Sequence, residues 1–314
     1  MVRTFHIPSD TGDVPIAANS NTARQLLVSY VQPYSFQQLL DHLRPRTTPG
    51  VERVEGNVYS RVTVQDETPR ILHVEDANAG RHLRVTVASQ TDGDVTDDLE
   101  RLRCLFAVDE DPSFAVAHLS QDPFIGRLAT ERPWVRVPRS WDPFETSIRI
   151  IIGQQISVAA ATTISGRIAA GLGQQISTGS DLNRIFPSPE VLANADLSGM
   201  GLTERRKTTL QNFSRAVTDG TIDLESSQNL DEMEKHWCTL PGIGPWTAQV
   251  AAMRVLGHDD AMPSSDLGVL RSMNRLTNQD FNPKQLENQS RIWRPFRSWA
   301  AQHLWQAPEV LRST

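Results

Sequence analysis

The chain has 314 residues, of which 39% are hydrophobic and 22% charged, and its formal net charge is −6 at pH 7. This length suggests two domains and suffices for a substantial buried core. Because Cys104 and Cys238 are the only two cysteines and form no CxxC pair, the composition excludes a disulfide framework and a cysteine-held metal cluster. We expect two reduced, mostly buried thiols.

The charge is distributed unevenly along the chain. Residues 1–120 hold 11 Lys and Arg against 17 Asp and Glu, whereas residues 121–314 hold 20 of each. Beyond Asp266 there are seven basic residues against three acidic ones. The acidity is therefore a property of the N-terminal part and does not exclude nucleic acid as a partner of the remainder.

The sequence predicts an α+β fold. Residues 1–23 are polar and without period, which indicates a poorly ordered extension. Residues 24–118 combine four short β-branched stretches with two helical ones, which predicts a small domain built on an antiparallel sheet. The predicted strands are RQLLVSYV, NVYSRVTV, RILHVED and RHLRVTVAS, and the predicted helices are SFQQLLDHL and DVTDDLERLRCLFAV.

The remainder, residues 119–314, has a helical period interrupted by Gly and Pro, which predicts an all-α, two-lobed region. The predicted helices span 143–152, 156–171, 188–195, 203–218, 230–238, 246–256, 267–277, 284–290 and 295–306. The apolar stretches are interrupted by polar residues and the N-terminus lacks the apolar core of a secretion signal, so we expect no membrane span and a cytoplasmic protein.

A glycine-rich turn leads into a helix in the stretch LPGIGPWTAQVAAMRVLG. Gly242 and Gly244 can adopt backbone angles that other residues avoid, and they leave their N–H groups unshielded. Pro245 and Trp246 then open a helix whose amino end carries partial positive charge. With the preceding helix, residues 230–257 form a helix–hairpin–helix that suits a phosphate group. Taken alone, these residues more often form an ordinary turn between helices.

A carboxylate lies downstream of this hairpin, in the stretch HDDAMPSSDLGVLR, where Asp266 precedes the next predicted helix. The segment from Leu240 to Arg271 resembles the helix–hairpin–helix and catalytic Asp that define a superfamily of DNA base-excision glycosylases. Further stretches are similar to one subfamily, bacterial DNA-3-methyladenine glycosylase II. They are FETSIRIIIGQQISVAAA, PYSFQQLLDHL and WRPFRSWAAQHLW, and the resemblance covers most of the chain after residue 24.

The resemblance implies an enzyme that flips a damaged nucleotide out of double-stranded DNA and hydrolyses the bond between base and sugar. Asp266 would be the catalytic carboxylate that stabilises the developing oxocarbenium ion and orients or activates water. Judged without the family, Asp266 is an N-cap of the helix that begins near Leu267, and the two roles are compatible. Asp259 and Asp260 are interpreted as solvated loop residues.

Trp246 stands where strand-cutting relatives carry a lysine nucleophile, so the resemblance implies a monofunctional glycosylase without lyase activity. Lys235 and Lys284 are interpreted as surface charges. An aromatic cleft favours alkylated purines, whose positive charge is attracted to each ring by about 0.5–2 kcal/mol. By resemblance, Trp305 stacks on the base and Trp246 lines the cleft beside it.

Two positions of this base pocket depart from the family, because Val250 and His42 stand where relatives have aromatic side chains. The lesion range therefore stays open between 3-methyladenine or 7-methylguanine and, alternatively, oxidised or deaminated bases. Judged without the family, His42 is expected on a helix surface, and Trp293 and Trp299 are expected in the core.

The resemblance also implies contacts with DNA outside the pocket. The backbone of one strand would lie against the hairpin residues Gly242, Ile243, Gly244 and Thr247.

Gln155, with Gln154 beside it, would fill the gap left in the duplex by the flipped nucleotide. Without the family, both glutamines are only the polar start of a buried helix.

Relatives can hold a monovalent cation, Na⁺ or K⁺, between the hairpin carbonyls and a DNA phosphate, and we expect no other cofactor. A monomer is expected, located on the nucleoid in a bacterium or in the nucleus of a eukaryote. The alternative from a different functional class is a non-catalytic DNA-binding module, which would have no need of Asp266.

Overall fold

A computed structural model describes residues 23–65, 67–77, 80–89, 93–224 and 229–310, with side chains up to residue 307. The predicted N-terminal extension lies outside the described residues, apart from Ala23, which already belongs to the first strand. Within the described residues, no helix is both long and apolar enough to cross a membrane.

The N-terminal domain contains the predicted antiparallel sheet. Its strands follow the spatial order β1-β5-β4-β3-β2, and each neighbouring pair is antiparallel. The short edge strand β2 was not predicted, because its sequence ERVE contains a single apolar residue. The strands are β1 (Ala23–Ser29), β2 (Glu52–Glu55), β3 (Val58–Gln65), β4 (Thr68–Asp76) and β5 (His82–Ser89).

Two helices pack on one face of this sheet, α1 (Phe36–Leu43) and α2 (Thr96–Leu105). Ser35 caps α1 by accepting a hydrogen bond from the Gln38 N–H. Alternate residues of β4 and β5, such as Leu72 and Val85, point into the shared core. A 3₁₀ turn at Arg44–Arg46 continues α1 toward the rest of the protein.

The second part of the chain is mainly helical, and the nine predicted helices are all present within a few residues of the predicted bounds. Two helices, α3 and α4, were not predicted. The helices are α3 (Ser113–Leu119), α4 (Gly126–Glu131), α5 (Pro143–Ile152), α6 (Val158–Leu172), α7 (Pro189–Asn194), α8 (Glu204–Thr218), α9 (Leu230–Trp237), α10 (Pro245–Arg254), α11 (Leu267–Thr277), α12 (Pro283–Gln289) and α13 (Arg297–Val310).

The prediction that this part is all-α was wrong in one place. Two short strands, β6 (Gln174–Gln175) and β7 (Arg184–Ile185), pair in an antiparallel manner after α6. Ile176 and Leu182, which flank this pair, pack on Val62 and Ile71 of the main sheet. A two-residue strand carries no alternating pattern, so the sequence could not reveal it.

Separate hydrophobic clusters form the two cores, one around the sheet and one around the helices. Trp293 and Trp299 are buried in the helical core, as predicted. The prediction of buried cysteines was wrong, because Cys104 is exposed on α2 and Cys238 is partly exposed at the end of α9.

A buried ion-pair network joins the two parts. Arg61 of β3 contacts Glu52 at 3.1 Å and also pairs with Glu145 of α5. The Thr48 hydroxyl donates to Glu145 at 3.1 Å. Burial raises the pKa of Glu145, whereas the Arg61 guanidinium opposes that rise. This network fixes β2, β3 and the segment after the 3₁₀ turn against α5, and thereby positions the sheet domain beside the helical region.

Candidate active site

Asp266 is the N-cap of α11, with extended backbone angles of −68° and 125°. Its Oδ1 accepts hydrogen bonds from the backbone N–H groups of Gly268 at 2.8 Å and Val269 at 3.0 Å. The predicted capping role is therefore confirmed. A helix amino end favours the ionised form of a carboxylate.

Two tryptophan indoles hold the same carboxylate. Trp246 donates its Nε1–H to Asp266 Oδ2 at 3.0 Å, and Trp305 donates its Nε1–H to Asp266 Oδ1 at 2.8 Å. Hydrogen bonds to an ionised acceptor are stronger than neutral ones. The side chains predicted as catalytic and as pocket-lining therefore meet at one carboxylate, although α10, α11 and α13 supply them separately.

The Arg254 guanidinium lies over the ring of Trp305. Its carbon atom lies 5.1 Å from the centre of that ring. The guanidinium itself is fixed by the Pro138 carbonyl at 3.0 Å and by Gln302 Oε1 at 2.7 Å. Burial lowers the pKa of Arg254, and the nearby Arg46 lowers it further. One face of the predicted base-stacking ring is thus already covered by a cation.

The sheet domain adds Arg46 and His42 to this site. The Arg46 guanidinium donates to the His42 carbonyl at 2.8 Å and lies close enough to Asp266 for their charges to interact. Burial lowers the pKa of Arg46 to about 10, which leaves it protonated at pH 7.

His42 is half-buried among these charges rather than free on a helix surface. Burial lowers its pKa well below 6.5, and Arg46, Arg254 and Arg149 lower it further. The imidazole is therefore neutral at pH 7 and keeps one donor and one acceptor nitrogen.

Val250 is buried one helical turn after Trp246 on α10. It belongs to none of the hydrophobic clusters formed by the described residues. Its place on the row that contains Trp246 agrees with the predicted position beside the pocket.

The competing charges near the site have other partners. Asp259 accepts from Trp299 Nε1 at 3.2 Å, and Asp260 accepts from Arg297 Nε at 2.8 Å. Both lie in the turn after Gly257 and are partly exposed, as interpreted, but each also belongs to an ion pair, Asp259 with Arg139 and Asp260 with Arg297. Lys235 and Lys284 are exposed, as predicted.

The predicted hairpin joins α9 to α10. Gly242 has a φ of 93°, and a Cβ there would overlap the Thr209 side chain of α8. Gly244 is different, because its φ of −117° is open to any residue. The prediction of unusual backbone angles holds for Gly242 only. A Cβ on Gly244 would meet no atom of the described chain within 4 Å.

The amino end of α10 is free of side-chain caps among the described residues. Ile243 anchors the hairpin, since its side chain is buried and its N–H donates to the Leu240 carbonyl at 3.0 Å. The first-turn N–H groups of a helix have no partner within the helix. This end is therefore suited to an anion.

The side chains of Thr247 and Gln154 contact each other beside the hairpin. Thr247 is buried, and its hydroxyl accepts from Gln154 Nε2 at 2.9 Å, so its side chain does not face outward. The same amide of Gln154 donates to the Gly242 carbonyl at 3.0 Å. Gln154 therefore ties the loop before α6 to the hairpin. Gln155 is exposed at the tip of that loop, with a left-handed φ of 59°.

Comparison with known families matches two models to the chain. Residues 24–142 match the AlkA N-terminal domain. Residues 148–296 match the HhH-GPD superfamily of base excision DNA repair proteins. The chain belongs to the AlkA-type HhH-GPD proteins.

This HhH-GPD chain aligns with named relatives over most of its length. It is 27% identical to DNA-3-methyladenine glycosylase 2 of Escherichia coli over 88% of the chain and 95% of that protein. It is 32% identical to a probable bifunctional transcriptional activator/DNA repair enzyme AlkA of Mycobacterium tuberculosis over 88% of the chain. The chain spans about half of that relative, 55% of its length.

Among solved structures, the 3-methyladenine DNA glycosylase from Archaeoglobus fulgidus superposes with a TM-score of 0.75 at 18% identity. The match covers 90% of this chain and 98% of that one. At this identity the similarity establishes the shared α+β fold of this HhH-GPD chain.

Sequence reasoning missed three residues of the site, Arg46, Arg254 and Gly268. Arg254 lies eight residues after Trp246 on the same row of α10, and Arg46 lies four residues after His42. Those spacings were signals that could have indicated both arginines. Gly268 has a weaker signal, a glycine in the first turn of a helix.

Proposed function

We propose that this protein is a monofunctional DNA glycosylase that excises alkylated purines of the 3-methyladenine and 7-methylguanine type during base-excision repair. The observation that carries the proposal is Asp266, a helix N-cap carboxylate held by the indoles of Trp246 and Trp305. A protein that only bound the DNA backbone would need neither the carboxylate nor its aromatic partners.

The proposed reaction replaces the bond between base and C1′ by a bond between C1′ and water oxygen. As the bond breaks, its electron pair moves to the base and neutralises the positive charge of an alkylated purine. The sugar then has oxocarbenium character, which the Asp266 carboxylate stabilises by its negative charge. Water adds its oxygen to C1′ and releases one proton, for which the same carboxylate is a suitable acceptor.

The surface around the hairpin supports docking on the DNA backbone. The uncapped amino end of α10 and the open space beside Gly244 allow a phosphate to approach the backbone N–H groups closely. Gln155 lies next to this surface, because Gln154 ties its loop to the hairpin. An exposed side chain at such a tip suits insertion into the gap that a flipped nucleotide leaves.

Trp246 supports the absence of lyase chemistry, because an indole has no amine with which to form a Schiff base. We therefore expect no covalent complex after borohydride reduction in the presence of damaged DNA. Strand nicking without added alkali, or a trapped complex, would refute the monofunctional assignment.

A second candidate substrate class, deaminated or oxidised neutral bases, is favoured by the guanidinium over Trp305. A cation on one face of a ring reduces its attraction for a cationic base on the other face. Val250 and His42 also replace aromatic surface with a small apolar side chain and a neutral hydrogen-bonding one.

A panel of duplexes with single lesions separates these substrate classes. Single-turnover release of 7-methylguanine and 3-methyladenine faster than that of hypoxanthine or 8-oxoguanine supports the alkylated purines. Release of a neutral base alone would move the assignment to the second class.

The remaining proposals concern partners and location. Among the described residues, no group of three or more His, Cys, Asp and Glu side chains could hold a metal ion. The hairpin cation, if bound, is proposed to rest on backbone carbonyls. Such a Na⁺ or K⁺ ion would neutralise a DNA phosphate at the hairpin. We propose a monomer that acts on chromosomal DNA, in the cytoplasm of a bacterium or the nucleus of a eukaryote.

A further inference from the structure

We propose that Gly268 is a positioning residue, whose missing side chain lets Trp305 reach Asp266 and thereby orients the carboxylate for reaction. The inference rests on the proposed glycosylase activity. It assigns Oδ2 of Asp266 to the substrate and gives Trp305 a second role beyond contact with the base.

The steric observation is direct. A Cβ on Gly268 would lie 3.0 Å from Asp266 Oδ1, 3.1 Å from Trp305 Cδ1 and 3.3 Å from Trp305 Nε1. Two of those atoms, Asp266 Oδ1 and Trp305 Nε1, are the partners of one hydrogen bond, 2.8 Å long. Contacts of this length are tighter than Cβ atoms normally make, so a side chain at residue 268 requires its neighbours to shift by a few tenths of an ångström.

The ring of Trp305 has little freedom to move away. Arg254 lies over one face and is itself held by two hydrogen bonds. The helix that carries the ring, α13, packs directly on α11, and its neighbouring residue Leu304 is fully buried. An added methyl group should therefore lengthen the indole–carboxylate hydrogen bond and leave the helix in place.

The hydrogen bonds on Asp266 differ between its two oxygens. Oδ1 accepts three, from Gly268, Val269 and Trp305, and is saturated. Oδ2 accepts one, from Trp246, and keeps capacity for the developing positive charge on the sugar. Loss of the Trp305 bond removes one of the four hydrogen bonds that orient the carboxylate, so the remaining three hold Oδ2 less firmly in the direction proposed for the sugar.

The test is Gly268→Ala, assayed by single-turnover excision, DNA affinity and thermal unfolding. We expect the rate to fall on the order of tenfold, with DNA affinity within about twofold and an unfolding midpoint unchanged or slightly higher, because Ala is the better helix former. Gly171→Ala in α6 is the matched control, because its tight contact is only the flexible end of Met200. Wild-type rates in both variants would overturn the proposal.

A double-variant comparison isolates the route through Trp305. Trp305→Phe removes the indole donor, so Gly268→Ala added to it should change the rate by less than about twofold. A further tenfold loss in that background would overturn the proposal. If Gly268→Ala fails to fold, Trp305→Phe alone tests the same hydrogen bond, and a wild-type excision rate in that variant would overturn the proposal.

Indole spectra distinguish this inference from the proposed activity. In ¹⁵N-tryptophan-labelled protein, the Nε1–H signal missing in Trp305→Phe identifies Trp305. We expect it far downfield in the wild type and shifted upfield in Gly268→Ala, whatever the substrate. An unshifted signal would refute the positioning role, whereas a shifted signal without any base excision would refute only the enzyme assignment.

Discussion

The two glycines of the hairpin give contrasting predictions, because only Gly244 has room for a side chain. At Gly242 a φ of 93° costs an alanine about 1–2 kcal/mol. Overlap with Thr209 adds about 1–3 kcal/mol. Gly242→Ala should therefore lower the free energy of unfolding by about 2–5 kcal/mol. Gly244→Ala should change it by less than about 1 kcal/mol, because the φ of −117° is ordinary and the space is open.

The two variants should rank in the opposite order for loss of DNA affinity. Among folded molecules, Gly244→Ala should bind DNA more weakly than Gly242→Ala. The methyl group of Gly244→Ala occupies the space through which a phosphate approaches the amino end of α10, so we expect about tenfold weaker binding. The dependence of affinity on salt should fall by about one released ion, which corresponds to one lost phosphate contact. The loss should be similar for all sequences, because phosphate contacts do not read bases.

The assay combines urea unfolding with fluorescence anisotropy of a labelled duplex containing an abasic analogue, at several salt concentrations. Thr209→Ala is the matched second-site change, and it should restore part of the stability of Gly242→Ala without affecting Gly244→Ala. Wild-type affinity and salt dependence in Gly244→Ala would refute the assignment of the hairpin to the DNA backbone.

Three further changes test other parts of the account. Trp246→Phe keeps an aromatic ring but removes the donor to Asp266 Oδ2. Single-turnover excision should therefore fall about tenfold while DNA affinity is retained. An unchanged rate would contradict the role of the indoles in holding the carboxylate. Gln155→Ala should slow excision without lowering the unfolding midpoint, because the side chain is exposed; equal rates would exclude its insertion into the duplex. Burial lowers the pKa of His303 to about 3. Below pH 6.5 the unfolded chain therefore binds a proton that the folded chain does not bind. The free energy of unfolding should fall by about 2–3 kcal/mol from pH 6.5 to 4.5. His303→Gln should flatten that dependence in urea unfolding, and an identical slope would show that other groups cause it.

Local patterns in the sequence predicted the hairpin, the cap at Asp266 and most helices. These features depend on residues a few positions apart, such as Pro245 after Gly244 or Asp266 before Leu267. The exposed tip at Gln155 also lies in a short stretch that the resemblance singled out. Such features can be recognised without knowing the tertiary structure.

Contacts between distant segments could not be predicted in the same way. The bond between Trp305 and Asp266 joins side chains 39 residues apart. The guanidinium over Trp305 depends on how α10 packs against α13. The rotation of α10 turns the side chain of Thr247 into the core, which its position after the hairpin does not reveal. Periodicity gives the face of a helix but not the element that covers it.

The central claim is that the Asp266 carboxylate drives hydrolysis of the bond between base and sugar. Asp266→Asn keeps the size and the capping oxygen, but removes the charge and turns an amide toward the Trp246 N–H. Asp259→Asn is the matched control, because that carboxylate serves an ion pair with Arg139 outside the site.

The deciding measurement is single-turnover release of 7-methylguanine or 3-methyladenine from duplex DNA, with binding to an abasic analogue measured alongside. We predict that Asp266→Asn lowers release at least about a thousandfold with little change in binding, while Asp259→Asn stays near the wild-type rate. Release at the wild-type rate by Asp266→Asn would contradict the account.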